Sequence, residues 1–366
     1  MVATSDLDRI ATLVAAIAQP DERVAAEAAA LQDRLTKPRG ALGRLETLGI
    51  RLCVISGKVP PAVPRKAAVA VFAGDHGVHA EGVTSWPQEV TAQMVANLCA
   101  GGAAINVLAR HAGAEVVVVD VGVAGERTEQ PGLLQRRVRS ATANLAHGPA
   151  MTPAEARAAL LVGADVAAEL VAAGADLLVG GDMGIGNTTP AAALIAAVTG
   201  HEPSAVTGRG TGIDDTMLAR KASVVAQAVA RVEAAAAAGD GPGLDAIGLL
   251  AEIGGLEIAA LCGFYLGGAA AGVPIVLDGV IALAAACVAM RQCPLVRGYL
   301  IAGHRSTEPG ASVALDWLDL DPLVDLGMRL GEGSGAMLAV PLVQAAAAVM
   351  NEMATFDRAG VADKPE

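Results

Sequence analysis

Short apolar runs alternate with long Ala-rich stretches of helical period from about residue 67 onward. The runs are Ala67–Phe72 (AAVAVF), Glu115–Val119 (EVVVV), Asp176–Val179 (DLLV), Val273–Leu277 (VPIVL) and Tyr299–Ala302 (YLIA). Strand-length runs separated by helices predict a parallel sheet with right-handed crossovers, an α/β, Rossmann-like core. Ahead of them, residues 5–57 carry helix periodicity, with Leu31, Leu35, Leu42, Leu45 and Leu48 at inward positions. Lys37-Pro38-Arg39-Gly40 breaks that helical region, and Pro60, Pro61 and Pro64 form a linker. Past residue 312 the strand pattern stops. Leu315–Met328 and Ala336–Thr355 read as helices, and the tail from Asp357 as frayed. The expected division is a small helical domain from residues 1–63 plus 312–366, and a parallel core from residues 64–311.

The polar residues are distributed unevenly. Each apolar run empties into a Gly-rich or charged motif: GDHG after residue 73, Asp120-Val121-Gly122, GGDMGIGNTT after Val179, Asp278-Gly279, and GHRSTEPG after Ala302. One Gly-Asp exit is an ordinary turn. Five of them predict a shared site, because ligands of open α/β sheets bind at the carboxyl ends of the strands.

Composition narrows the class. The chain has 366 residues, 53% hydrophobic but only 2% aromatic, so the core is built from Ala, Val, Leu and Ile. A net charge of −12 with no basic stripe argues against nucleic acid as a partner. Cys53, Cys99, Cys262, Cys287 and Cys293 form no CxxC and read as buried thiols of a reducing, cytoplasmic compartment. Residues 1–20 hold Asp6 and Asp8 and no basic leader, so no signal peptide is expected. The uncharged stretch Ile258–Leu277 is long enough to span a membrane, but its glycines and Pro274 favour a buried helix, turn and strand.

Five motifs carry candidate chemistry. Near the C-terminus, Glu332 sits between Gly331 and Gly333 at the start of an Ala-rich helix. Glycines on both sides admit close approach of a substrate, and Glu332 is read as a catalytic base or, more blandly, as a first-turn acid. Gly180–Pro190 (GGDMGIGNTTP) can aim backbone N–H groups and the hydroxyls of Thr188 and Thr189 at a phosphate. It lacks the third glycine of a dinucleotide fingerprint, because that position is Thr189. In Val206–Lys221, Arg209 or Lys221 supplies positive charge, and Asp214 or Asp215 caps the helix bearing Lys221. In GDHG, Asp75 and His76 suggest a metal pair, but no further ligand cluster exists at metal spacing, and a strand-exit acid that orients a loop fits better. Trp86, in the loop after GDHG, either walls an aromatic ligand or packs. His304 and Arg305 of GHRSTEPG are candidates for contacting an anion or a partner subunit.

Taken in order, LTKPRGALGRLE, GDHG, GVTSWPQEVTAQM, GIGNTTPAAA, VTGRGTGIDD, GLEIAALCGFYLGGAAAGVPIVLDG, GHRSTEPGA and MRLGEGSGA resemble the nicotinate-nucleotide–dimethylbenzimidazole phosphoribosyltransferases over nearly the whole chain. The resemblance implies phosphoribosyl transfer from nicotinate mononucleotide to 5,6-dimethylbenzimidazole in cobalamin biosynthesis, and a homodimer; that transfer requires no metal or redox cofactor, and the sequence itself predicts no membrane span. It implies Glu332 as general base, with Gly184, Gly186, Asn187, Thr188, Thr189 and Lys221 near the phosphate. Asp182, Met183, Arg209, Gly210, Trp86, Met94, Leu330, Gly331 and Gly333 are expected around the substrates as well. The family commonly has Glu where this chain has Asp182, so any ribose contact from that position must shift or run through water. The rival expectations are a metal-dependent hydrolase at Asp75 and His76, and a non-catalytic nucleotide or azole sensor.

Overall fold

The structure, a computed structural model, describes residues 5–127, 129–238 and 244–362. In chain order, α1 (Asp6–Ala15), α2 (Ala25–Arg34) and α3 (Arg44–Ser56) precede β1 (Ala67–Gly74). Then follow α4 (Val90–Cys99), α5 (Ala104–Ala112), β2 (Glu115–Gly122), β3 (Leu133–Gln135), α6 (Pro153–Ala172) and β4 (Leu177–Met183). Next come α7 (Thr188–Thr199), α8 (Pro203–Val206), α9 (Asp215–Ala238), α10 (Ala246–Ile253), α11 (Leu256–Ala270) and β5 (Ile275–Leu277). The chain ends with α12 (Val280–Gln292), β6 (Leu300–Ala302), α13 (Pro309–Leu318), α14 (Ser334–Glu352) and α15 (Phe356–Ala359).

The strands form one sheet in the order β3-β2-β1-β4-β5-β6, and every pairing is parallel. The five predicted runs are all strands of it. β3 is an addition: three half-buried residues with no alternation to announce them. The strand order reverses between β1 and β4, which places the GDHG and GGDMGIGNTT exits side by side at the switch point.

Both faces of the sheet are covered, so β1 is buried at every position. Ala68, Ala70 and Phe72 face a core shared with α6, α7, α11 and α12. Val69, Val71 and Ala73 face a second core with α3, α5 and α14. On the first face α6 and α11 cross at glycines. A Cβ on Gly163 would lie 1.7 Å from Ala260 O, and one on Gly263 1.8 Å from Leu160 O, so only glycine permits this approach. The uncharged stretch Ile258–Leu277 is α11, a turn and β5, and most of it lies inside this core. Helix α1 packs on α6 and α11. Helices α2 and α3 meet α14 through Ala28, Cys53 and Met350.

Two expectations near the C-terminus are corrected. Leu315–Met328 is helical only as far as Leu318: α13 begins earlier, at Pro309, and ends at the cap Asp319, whose φ of 50° is left-handed. Pro322 follows, and the chain continues extended, with Leu323 N donating to Ala302 O at 3.0 Å and Val324 N to Gly303 O at 3.0 Å. The apolar positions Leu320, Leu323 and Val324 fit a helix by spacing, yet here they cover the rim of β6. The tail past Asp357 is not wholly frayed either, because Thr355 caps the short α15 through Arg358 N. Residues 363–366 lie outside the described residues.

Candidate active site

The loop leaving β4 is shaped by what lies under it. A Cβ on Gly184 would come within 2.2 Å of Gly74 O at the exit of β1, and Gly186 adopts φ +92°. The loop turns directly into α7, whose first residues are Thr188 and Thr189. The exposed N–H groups and dipole of a helix start make this an electropositive place. Lys221, on α9, reaches the same point although only 1% of it is exposed. Its Nζ donates to Thr188 Oγ1 at 2.8 Å and to Gly208 O at 2.9 Å. Burial lowers the Lys221 ammonium to about 8, against the opposing pull of Glu308. A buried cation at a helix N-terminus is an arrangement that an anion would stabilise.

A cavity opens there, lined by Val83, Thr84, Gly184, Ile185, Gly186, Asn187, Thr188, Arg209, Gly210, Thr211, Ile213 and Lys221. A second cavity shares Asn187, Thr188, Gly210 and Thr211, and extends to Asp182, Gly279, His304, Ser306, Glu308, Arg329, Leu330 and Gly331. Asn187 ties the two together by donating through Nδ2 to Asp182 Oδ2 at 2.9 Å.

The Glu332 loop rests on β4. Gly331, Glu332 and Gly333 all have positive φ, at 87°, 64° and 86°. For a glutamate that conformation costs roughly 1–3 kcal/mol and persists only where the surroundings impose it. Here Gly181 has no side chain, and a Cβ on it would be 2.4 Å from Glu332 O. Asp278, at the exit of β5, accepts from Gly333 N at 3.1 Å and Ala336 N at 2.9 Å, which caps α14. Glu332 is 4% exposed, and among the described residues its carboxylate accepts one hydrogen bond, a long one of 3.4 Å to Oε2 from Ile105 N near the start of α5. Burial raises the Glu332 carboxyl above its ordinary value; the Ile105 N–H opposes this, and Asp278 adds to it. A carboxylate made more basic and only lightly held suits proton abstraction.

Asp182 is held well above the usual carboxylate range by burial, with Asp278 and Glu257 adding to the effect and Asn187 opposing it. His304 Nε2 donates to Asp278 Oδ1, 3.3 Å away, and although burial of its ring opposes the charge, that carboxylate outweighs it and raises the imidazole above its ordinary value. Gly335 makes room for the ring, since a Cβ there would lie 2.1 Å from His304 Cδ2.

A family profile described as phosphoribosyltransferase matches residues 17–361. The nicotinate-nucleotide–dimethylbenzimidazole phosphoribosyltransferase of Salinispora tropica is 55% identical over 364 residues, covering 96% of this chain and 98% of the relative. The enzyme of the same name from Thermus thermophilus is 52% identical, covering 93% of this chain and 99% of its own. The chain belongs to this phosphoribosyltransferase family. A crystal structure of CobT from Thermus thermophilus superposes with a TM-score of 0.89 at 52% identity, covering 93% of this chain and 100% of that one.

In this phosphoribosyltransferase the predicted residues fall into three groups. Asp182, Gly184, Gly186, Asn187, Thr188, Arg209, Gly210, Lys221, Leu330 and Gly331 all line the two cavities, although Leu330 is 57% exposed. Thr189, Glu332 and Gly333 are buried beside them. Met183 and Met94 are half-buried against the second core, and Trp86 is 48% exposed, while Val83 and Thr84 of its loop line the first cavity. Arg209 lines that cavity but bonds to Asp215 and to Ile213 O, so its charge is partly committed. Asp214 is the cap of α9, accepting from Met217 N at 2.8 Å. Arg305 faces Asp325 and Ser312.

Two residues escaped sequence reasoning. Glu308 accepts from Gly210 N at 2.8 Å, and Arg329 donates to Gly210 O, so both brace the second Gly-rich loop. Glu308 lies inside GHRSTEPG, where its position next to Pro309 at a helix start was the available signal. The rival metal site does not assemble. Asp75 bonds to Thr91 and Ala124 N, His76 bonds to Glu257, and among the described residues no group of three or more His, Cys, Asp or Glu is arranged to hold a metal.

Proposed function

We propose that the protein transfers phosphoribose from nicotinate mononucleotide to 5,6-dimethylbenzimidazole, giving α-ribazole 5′-phosphate and nicotinate. The names of its relatives support these substrates. The observation that carries the mechanism is Glu332: a buried carboxylate in an imposed left-handed conformation, next to an anion-suited cavity.

The chemistry follows from the substrates. The pyridinium of the nucleotide carries positive charge, and breaking its bond to C1 returns the electron pair to the ring nitrogen. The leaving ring is then an uncharged pyridine and needs no acid. One benzimidazole nitrogen attacks C1 from the opposite side, which turns the β-linkage into α. The N–H on the other nitrogen becomes acidic as the new bond forms, and Glu332 takes that proton. General-base help of this kind contributes roughly 10²–10⁴ in rate. The α7 start, Lys221 and Thr188 fix the phosphate, and the remaining acceleration comes from holding both rings and the sugar in line. No redox or metal step enters this scheme.

The test is direct: incubate the protein with both reactants and follow nicotinate by chromatography. Nicotinate release that requires the benzimidazole is expected, and none at all defeats the reading. The same proposal includes a cytoplasmic homodimer, read by light scattering in solution, and the helical division of residues 1–63 plus 312–366 from the core.

A further inference from the structure

GDHG, the motif after β1, has no part in the reaction scheme, yet both of its polar side chains are buried, with Asp75 1% and His76 0% exposed. Asp75 Oδ2 accepts from Ala124 N at 2.8 Å, in the segment after β2. Its Oδ1 accepts from Thr91 Oγ1 at 2.7 Å, on the first turn of α4. Thr91 Oγ1 in turn accepts from Ile185 N at 3.0 Å, inside the loop that lines the anion-suited cavity. Thr91 itself is fully buried, at 0% exposure.

The direction of this chain is set by chemistry. A hydroxyl has one proton to donate, and an ionised carboxylate only accepts. With its proton on Asp75, the Thr91 oxygen keeps lone pairs for the Ile185 N–H. His76 lies close to the preceding residue: a Cβ on Gly184 would be 3.2 Å from His76 Nε2, so the ring edge limits the space at that position. The ring is fixed from below by Glu257 Oε1 at 2.8 Å, in the first turn of α11. Ile185 is therefore bonded, through Thr91 and Asp75, to the neighbouring strand exit across the switch point, and Gly184 packs close to His76 beside it.

We infer that Asp75 and Thr91 are positioning residues, whose relay to Ile185 N, with the His76–Glu257 pair beneath Gly184, sets the placement of the Gly184–Thr188 loop against the phosphate of the nucleotide. None of the four is assigned contact with substrate. The inference rests on the proposed function for the identity of the nucleotide, but not for the relay itself.

The test is Thr91→Val, which keeps the branched shape and removes the hydroxyl, with Thr91→Ser as the conservative rescue. Calorimetry would measure nicotinate mononucleotide and dimethylbenzimidazole separately, and amide hydrogen exchange would follow residues 184–189 without any ligand. Nucleotide affinity is expected to fall about tenfold in Thr91→Val, with the base within about twofold, faster exchange at Ile185, and recovery in Thr91→Ser. Unchanged exchange and nucleotide affinity overturn the inference. So does equal weakening of both ligands without rescue by serine, the sign of general destabilisation. If Thr91→Val does not fold, Asp75→Asn takes its place, since an amide can satisfy only one of the two donors, and the same readouts decide. Wild-type protein that releases no nicotinate counts against the function proposed, while the exchange data still judge the relay.

Discussion

Lys221 and Glu332 are two buried ionisable groups placed beside adjoining cavities, and burial acts on both in the same sense. It favours the neutral form, lowering the amine to about 8 and raising the carboxyl. They differ in how firmly they are held. Lys221 makes two short hydrogen bonds, at 2.8 Å and 2.9 Å, next to the start of α7. Glu332 accepts one bond at 3.4 Å, and its own backbone is twisted into the left-handed region. A group that only attracts an anion gains from being fixed. A group that must take a proton gains from being basic and weakly partnered. The contrast assigns binding to one end of the site and proton transfer to the other.

The largest effect that would break this contrast is on turnover. Glu332→Gln keeps the shape of the loop and removes the basic oxygen. Turnover is expected to fall by roughly 10²–10⁴ with nucleotide affinity little changed. Wild-type turnover at neutral pH in that variant would remove Glu332 from the mechanism.

Lys221→Met is the counterpart. It keeps an unbranched side chain while deleting the charge, and losing one charge-assisted contact to phosphate weakens nucleotide binding by roughly 10–100-fold. An unchanged dissociation constant by calorimetry would leave the phosphate with another partner.

The contrast also predicts the pH profile. Glu332 acts as a base only when ionised, and its carboxyl is raised above 4.5, so turnover should decline as pH falls toward that raised value. Lys221 attracts phosphate only when protonated, so binding should weaken as pH rises through about 8. The phosphate is already a dianion above about 6, so the alkaline loss belongs to the lysine. In Lys221→Met the alkaline limb should disappear and the acid limb remain. A profile with both limbs intact would mean that another group titrates there.

The sequence carried the parts of this site whose geometry is local. Glu332 between two glycines, and a Gly-rich loop ahead of Thr188, are visible because each depends on backbone freedom within a few residues. Strands β1, β4, β5 and β6 were readable because burial on both faces leaves an unbroken apolar run, and β2 because its four consecutive valines give the same signal although its first residues are partly exposed. β3 was not, since three half-buried residues hold no period. The segment after α13 misled for the opposite reason: its leucines fit a helix, but Asp319 and Pro322 turn it into a cover for the edge of β6. Asp278 capping α14, and Glu308 and Arg329 bracing Gly210, join residues far apart in the chain; the place of Glu308 before Pro309 hints at a helix start, but no spacing in one sequence pairs any of the three with its partner.

The smallest expected effect tests what lies between the two ends. Asp182 touches Asn187 on the Lys221 side, and its backbone oxygen accepts from Glu332 N at 3.3 Å on the other. Burial and the neighbouring carboxylates Asp278 and Glu257 favour its protonated form. A neutral acid is close in shape and hydrogen-bonding capacity to an amide. Asp182→Asn should therefore change turnover by less than about tenfold, about the value of one hydrogen bond. If turnover instead fell as far as in Glu332→Gln, Asp182 would have to work as a charged carboxylate. Proton transfer would then belong to the pair and not to Glu332 alone.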